Sequence, residues 1–183
     1  CTYNTYQSSP SHTQSSCIPK TDCYPGDYVI SEGGTWGSPN DRSCGDCSYG
    51  TFSNSTNQPY CYDYQDCDPG EYVSFSGDDI SDRSCPACSS GTFSTYINQS
   101  SCYDYIDCDP GEYVSYSGDD RQDRQCTDCS SGTYSSSINE TTCTPVTDSL
   151  SGHYISSSYN STSDNTFSEC SECADGQYES AAC

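Results

Sequence analysis

The chain has 183 residues, a net charge of −22 and five Lys and Arg in all. One Leu, seven Ile, four Val and four Phe are too few to build a core for that length, and with that charge they would by themselves read as disorder. Seventeen Cys reverse that reading, because closed disulfide loops restrict the unfolded chain and replace a core that apolar residues cannot supply. The scarcity of basic residues excludes nucleic acid and anionic membrane surfaces as partners.

Cysteine usage at this density points to an oxidising compartment, so the expected location is secreted or at the cell surface. No apolar run approaches membrane-spanning length, and no direct membrane insertion is expected. The chain opens on Cys1 and closes on Cys183, which reads as a mature ectodomain or an internal piece of a longer secreted chain.

Taken in order, nine loops follow one another. They run Cys1 to Cys17, Cys23 to Cys44, Cys47 to Cys61, Cys67 to Cys85, Cys88 to Cys102, Cys108 to Cys126 and Cys129 to Cys143. The eighth should open at position 149, where Ser149 stands, and close on Cys170. The ninth runs Cys173 to Cys183. Spacers of five residues (IPKTD, YDYQD, YDYID, TPVTD) alternate with spacers of two (GD, PA, TD, SE). Such a rhythm is the signature of stacked repeats. It divides the chain into an N-terminal loop and spacer (1–22), repeats over 23–66, 67–107 and 108–148, and a divergent fourth repeat over 149–183.

Gly and aromatic positions keep the same register. Gly26, Gly50, Gly70, Gly91, Gly111, Gly132, Gly152 and Gly176 each precede an aromatic residue by two positions, from Tyr28 to Tyr178. Gly turns the chain, and the aromatic supplies the apolar area a small module must bury. Runs such as EYVSFS (71–76) and EYVSYS (112–117) alternate in polarity and end at Gly-Asp, predicting short hairpins. No segment has helical periodicity. The expected fold class is small, disulfide-rich and mostly β or irregular. It is an elongated ladder of tandem modules without a large hydrophobic core.

Two disulfide pairings are open. If each loop closes on itself, Cys1–Cys17, Cys23–Cys44, Cys47–Cys61, Cys67–Cys85, Cys88–Cys102, Cys108–Cys126, Cys129–Cys143 and Cys173–Cys183 pair, and Cys170 is left unpaired or intermolecular. An interleaved scheme, with Cys44–Cys61 and Cys47–Cys67, strands Cys23, Cys129 and Cys173. The self-closing pairing is the favoured expectation.

The segment CPACSSGTF (85–93), with its copies at 44–52, 126–134 and 170–178, resembles the cysteine-rich repeats of the tumour necrosis factor receptor family. It is also similar to the ephrin-receptor-like (EGF-like) repeats of large extracellular proteins. That resemblance spans nearly the whole chain. It implies elongated ladders that bind protein ligands or act as spacers in cell-surface and filament proteins. A resemblance of style extends to the hair-like mastigoneme filaments of flagellated algae.

No catalytic residue is expected. His12 and His153 stand outside any constellation, and nothing suggests a cleft that would tune paired carboxylates. Metal ligation by the Cys-x-x-Cys pairs is not expected either, because the companion pairs are spaced five apart, outside zinc-site spacing. The acidic set Asp63, Asp66, Asp68, Glu71, Asp78, Asp79 and Asp82 recurs one repeat later. Ca2+ is the one cofactor it could suggest, although no EF-hand spacing is present and a solvated acidic face explains it. Asp41-Arg42, Asp82-Arg83 and Asp123-Arg124 read as structural ion pairs or hydrogen bonds. Asn54, Asn98, Asn139 and Asn160 open Asn-x-Ser/Thr triplets and are candidate N-glycosylation sites. Ser and Thr runs could add O-glycans. Tyr62 with Tyr64, and Tyr103 with Tyr105, could seal joints between loops or anchor an interface.

The first functional expectation is a glycosylated structural protein that assembles with itself into a filament, sheath or surface appendage. The alternative is a receptor-like ectodomain segment binding another extracellular protein along its surface.

Overall fold

The computed structural model describes residues 4–7, 16–34 and 40–170. Among them seven two-stranded antiparallel hairpins follow one another, and these described residues contain no helix. Strand β1 (Thr5–Tyr6) pairs with β2 (Ile18–Pro19), and β3 (Asp27–Ser31) with β4 (Ser43–Asp46). β5 (Thr51–Phe52) pairs with β6 (Tyr62–Asp63), and β7 (Thr92–Phe93) with β8 (Tyr103–Asp104). β9 (Glu112–Tyr116) pairs with β10 (Gln125–Asp128), β11 (Thr133–Tyr134) with β12 (Thr144–Pro145), and β13 (His153–Ser157) with β14 (Thr166–Glu169).

A longer hairpin therefore alternates with a two-residue one. Each longer hairpin carries a register shift, as at Val29/Ser31 and Ile155/Ser157. EYVSFS (71–76) is the exception: it makes only two isolated bridges, Glu71 to Ala87 and Phe75 to Ser84.

Six disulfides brace these hairpins among the described residues: Cys23–Cys44, Cys47–Cys61, Cys67–Cys85, Cys88–Cys102, Cys108–Cys126 and Cys129–Cys143. Every one closes a loop on itself, with partners 14 to 21 positions apart. Cys17 is also disulfide-bonded, to a partner outside the described residues. Cys1, Cys173 and Cys183 lie outside the described residues as well. Cys170, expected to lack a partner because Ser149 replaces its counterpart, is disulfide-bonded. Its partner lies outside the described residues, so an opening Cys at position 149 is not needed to complete the bond.

Little is buried. Cys23, Cys67 and Cys108 are fully enclosed, as are Ser53, Ser94 and Ser135, and Phe52 is the one large apolar side chain below a tenth exposure among the described residues. The interior of each module is thus a cystine and a hydroxyl rather than an aliphatic cluster. The chain forms two compact units, Cys1–Cys88 with Ser94–Cys102, and Ser89–Phe93 with Tyr103–Cys183.

The buried serines are hydrogen-bond hubs. Ser53 Oγ donates to the carbonyl of Asp27, Ser94 Oγ to that of Glu71 and Ser135 Oγ to that of Glu112, each at 2.7 Å. The N–H of Gly26, Gly70 and Gly111 in turn donates to the carbonyl of the same serine. In the first and third repeats the hub joins a long hairpin to the short one that follows it. Each serine stands six residues after a loop-opening Cys, a register visible in the sequence but lost among its many serines.

Candidate functional site

One polar clamp is built three times. Asn57, Asn98 and Asn139 adopt positive φ near 60°, a conformation that Asn tolerates better than other residues with a side chain. Their N–H donates to the carbonyl of Cys23, Cys67 and Cys108, and their Oδ1 accepts from the N–H of the same cysteine at 2.9 Å. The asparagine thereby grips the loop-opening Cys with backbone and side chain together. Its Nδ2 donates to a spacer carboxylate: Asp22, Asp66 or Asp107.

An arginine closes each clamp. Nη1 of Arg42, Arg83 and Arg124 donates to the asparagine Oδ1 and to the carbonyl of Thr21, Gln65 and Ile106. The same nitrogen lies 3.5, 3.2 and 3.3 Å from Asp22, Asp66 and Asp107. Of the ion pair or hydrogen bond expected between each arginine and its preceding aspartate, the hydrogen bond forms, through the arginine N–H, while the guanidinium pairs with the spacer aspartate instead. Asp41, Asp82 and Asp123 instead accept from backbone N–H groups, of Thr21, Gln65 and Ile106 and of the arginine itself.

Hydrogen bonds set the charge state. Donation by Asn98, and then by Arg83, holds the Asp66 carboxyl below its ordinary range. The Thr21 hydroxyl and N–H do the same for Asp41. In the fourth repeat Asp164 accepts from Thr147, which lowers its carboxyl, while Asn165 stands where the arginine was and donates to the Thr147 carbonyl.

The three clamps differ at one edge of the guanidinium. Arg42 is enclosed, with a side chain 2% exposed, because Glu32 lies at 3.2 Å from Nε and 3.1 Å from Nη2. Asn4 also accepts from Nη2. Counted from Tyr28, Tyr72 and Tyr113, the position of Glu32 is Ser76 in the next repeat and Ser117 in the third. Arg83 and Arg124 are 19% exposed, and no acceptor among the described residues meets their Nε or Nη2.

The spacer tyrosines pack as joints. Tyr64 stacks on Phe52 at 6.2 Å and lies under the Arg83 guanidinium at 5.8 Å. Tyr105 repeats this with Phe93 and Arg124. A Cβ at Gly77 would meet the Tyr64 ring at 2.8 Å, and Gly77 has φ of 84°, so no other residue fits there. Tyr62 instead faces outward with Tyr60. The two rings meet edge to face at 4.9 Å and are 42% and 55% exposed, and Tyr62 rests on Phe52 at 6.0 Å. Hydrogen bonding with Tyr62 holds the Tyr60 hydroxyl above the usual tyrosine value.

The acidic residues that suggested Ca2+ are mostly committed to the chain itself. Asp66 serves the clamp, Asp82 and Asp78 cap backbone N–H groups, and Glu71 accepts from the Asp68 N–H. Among the described residues, the one cluster with metal-like spacing is Cys108, Glu112 and Cys126, and its two sulfurs form a disulfide.

Of the four candidate glycan acceptors, Asn54 and Asn160 are exposed, and their Nδ2 makes no hydrogen bond. Asn98 and Asn139 are half-buried in the clamp with both amide atoms engaged. In those two copies the second residue after the clamp Asn completes a triplet, and the middle one, Gln99 or Glu140, accepts from the N–H of Tyr96 or Ser137. The first two positions of the triplet thus have structural roles of their own.

No protein-family model matches the chain, and no curated protein does. Solved structures do. A chain of the human RANKL/OPG complex is similar at 21% identity, covering 88% of this chain and 96% of that one, with a TM-score of 0.38. A chain of the mouse RANKL–OPG complex is similar at 19% identity over 72% and 94%, with a TM-score of 0.35. The equine lentivirus receptor 1 is similar at 23% identity over 70% and 98%, also at 0.35.

Proposed function

We propose that this chain is an extracellular protein-recognition module of receptor type, without catalytic activity. The observation that carries this reading is the Tyr60–Tyr62 pair. Two aromatic side chains stand exposed at the small β5–β6 hairpin, which is anchored by Cys47–Cys61 and by Phe52 beneath. A groove of about 310 Å³ lies beside them, lined by Tyr28, Asp46, Ser48, Thr51 and Tyr60. Tyrosine anchors of this kind carry much of the energy of protein interfaces, because they bury large area at small entropic cost. A net charge of −22 favours a partner with a basic rim.

The test is a binding screen of the immobilised chain against secreted and cell-surface proteins of its source. A discrete partner is expected, and Tyr60→Ser with Tyr62→Ser should weaken it about 30-fold, the loss of one hot spot of about 2 kcal/mol. Undiminished binding by the double variant would overturn the role of the patch.

Assembly into a filament, sheath or appendage is the second reading. It is favoured by apolar side chains left exposed in successive repeats, among them Tyr103, Ile106 and Ile138. Its covalent form requires a free Cys170, which is disulfide-bonded. Concentration-dependent sedimentation with no heterologous partner would favour this reading over recognition.

Glycans fit the recognition reading where they shield surface away from the patch. Glycopeptide mapping of the secreted chain is expected to find N-glycans at Asn54 and Asn160 and none at Asn98 and Asn139. Full occupancy at Asn98 would show that the clamp forms with a substituted Nδ2 or does not form.

A further inference from the structure

The first clamp shows what the open edge of the second is shaped to receive. In the first repeat Glu32 covers Nε and Nη2 of Arg42 with one carboxylate oxygen. In the second, Ser76 replaces that glutamate, the Arg83 Nη1 contacts are unchanged in kind, and the Nε–Nη2 edge faces no acceptor among the described residues. Arg83 lines a groove of about 270 Å³ together with Tyr49, Tyr64, Val73, Ser76 and Ser100 among others. Tyr64 holds the guanidinium by its face, so the edge is presented in a fixed direction. Tyr49, fully exposed, stands at the rim.

We infer that the Arg83 groove is a carboxylate-binding subsite, and that it receives a glutamate side chain of a protein partner where Glu32 serves the first repeat in cis. The chemistry is a charge-assisted pair with a guanidinium whose other nitrogen is already locked, so little ordering is needed on binding. The ring of Tyr64 and the side chain of Val73 suit the methylenes of the incoming residue, and the hydroxyls of Ser76 and Ser100 suit its second oxygen. The chain's overall negative charge does not forbid this, because screening limits the range of distant carboxylates to about 8 Å at physiological salt. Arg124, with its guanidinium over Tyr105, likewise has no acceptor at Nε or Nη2 among the described residues.

The inference deepens the protein-recognition reading and rests on it for the identity of the partner. The test needs no partner. The chain is labelled with 15N, and the Nε–H signals of its arginines are followed while acetyl-Glu-N-methylamide is added. Acetyl-Gln-N-methylamide at matched ionic strength is the control. The Arg83 signal is expected to shift saturably with the glutamate probe alone, while Arg42, already covered by Glu32, stays in place. Ser76→Glu rebuilds the first repeat's arrangement and leaves every clamp residue intact. It is expected to abolish the Arg83 shift by filling the edge in cis. No saturable shift at Arg83, an equal response to the glutamine control, a parallel shift at Arg42, or an unchanged response in Ser76→Glu would each overturn the site. A positive result here with no partner sensitive to Tyr60 and Tyr62 would leave the carboxylate site standing and overturn the partner assignment at the tyrosine patch.

Discussion

Replacing Cys67 and Cys85 together by alanine is expected to open the second repeat while leaving the third closed. The bond closes a loop of 18 residues. In the chain-entropy account, releasing such a loop returns about 3 kcal/mol of disorder to the unfolded state. That loss is large here because the module has almost nothing else inside it. Cys67 is fully buried, and the groups it meets besides Cys85 are polar, the Asn98 amide and the Ser84 carbonyl. An alanine at position 67 leaves a cavity that no aliphatic side chain is near enough in number to fill. Opening should be local, because tandem modules lose stability repeat by repeat. Hydrogen exchange read by mass spectrometry checks this. Amides of residues 70–74, including those of Gly70 and Val73 that donate to Ser94 and Gln99, should lose protection, and the equivalent amides of Gly111 and Val114 should keep theirs. Equal loss in both repeats would show that the modules unfold as one unit. No loss in either would show that the clamp and serine hub hold the repeat without the bond.

Arg42→Ala is expected to cost about 3 kcal/mol, and Arg83→Ala less, about 1–2 kcal/mol. Both remove a guanidinium that bridges an asparagine, a carbonyl and a carboxylate. The difference lies at the far edge. Arg42 is enclosed and also holds Glu32 and Asn4, so its loss strands more acceptors. Arg83 is partly solvated and has no partner there among the described residues, so water replaces more of what it loses. Lysine should not restore the Arg42 clamp, because a single ammonium cannot reach Asn57 on one side and Glu32 and Asn4 on the other as the fork does. Denaturant midpoints of the two variants, with exchange at the Cys23 and Cys67 amides as local reporters, decide the order. A larger loss for Arg83 than for Arg42 would contradict the account of the edge.

The arginines also show how far a linear reading reaches. Their recurrence beside an aspartate is plain in the sequence, and it predicts an ion pair or a hydrogen bond between neighbours, of which the hydrogen bond forms. The aspartate that each guanidinium meets lies 17 to 20 residues earlier, in the spacer, a distance that no local pattern encodes. The asparagines are a second case. Asn98 and Asn139 look like glycan acceptors because Ser or Thr follows at the right step, and Asn57, which lacks the triplet, holds the same clamp position. The equivalence of these three positions is visible in the sequence, while their shared role becomes visible only with the loop-opening cysteine folded against them.

What the sequence by itself determined is the repeat, its register and its class. Disulfide loops, Gly turns and aromatic positions are local features, readable because each acts within a few residues of itself along the chain. Spacing leaves two cysteine pairings open, and proximity decides between them over residues 23–143. The tertiary structure alone decided which polar atoms meet and which edge is left over. The change from Glu32 to Ser76 is a surface substitution on paper. It becomes an open half of a guanidinium only because the fold carries each position to the arginine of its own repeat, and hydrogen-bond partners are chosen by position in space rather than by order along the chain.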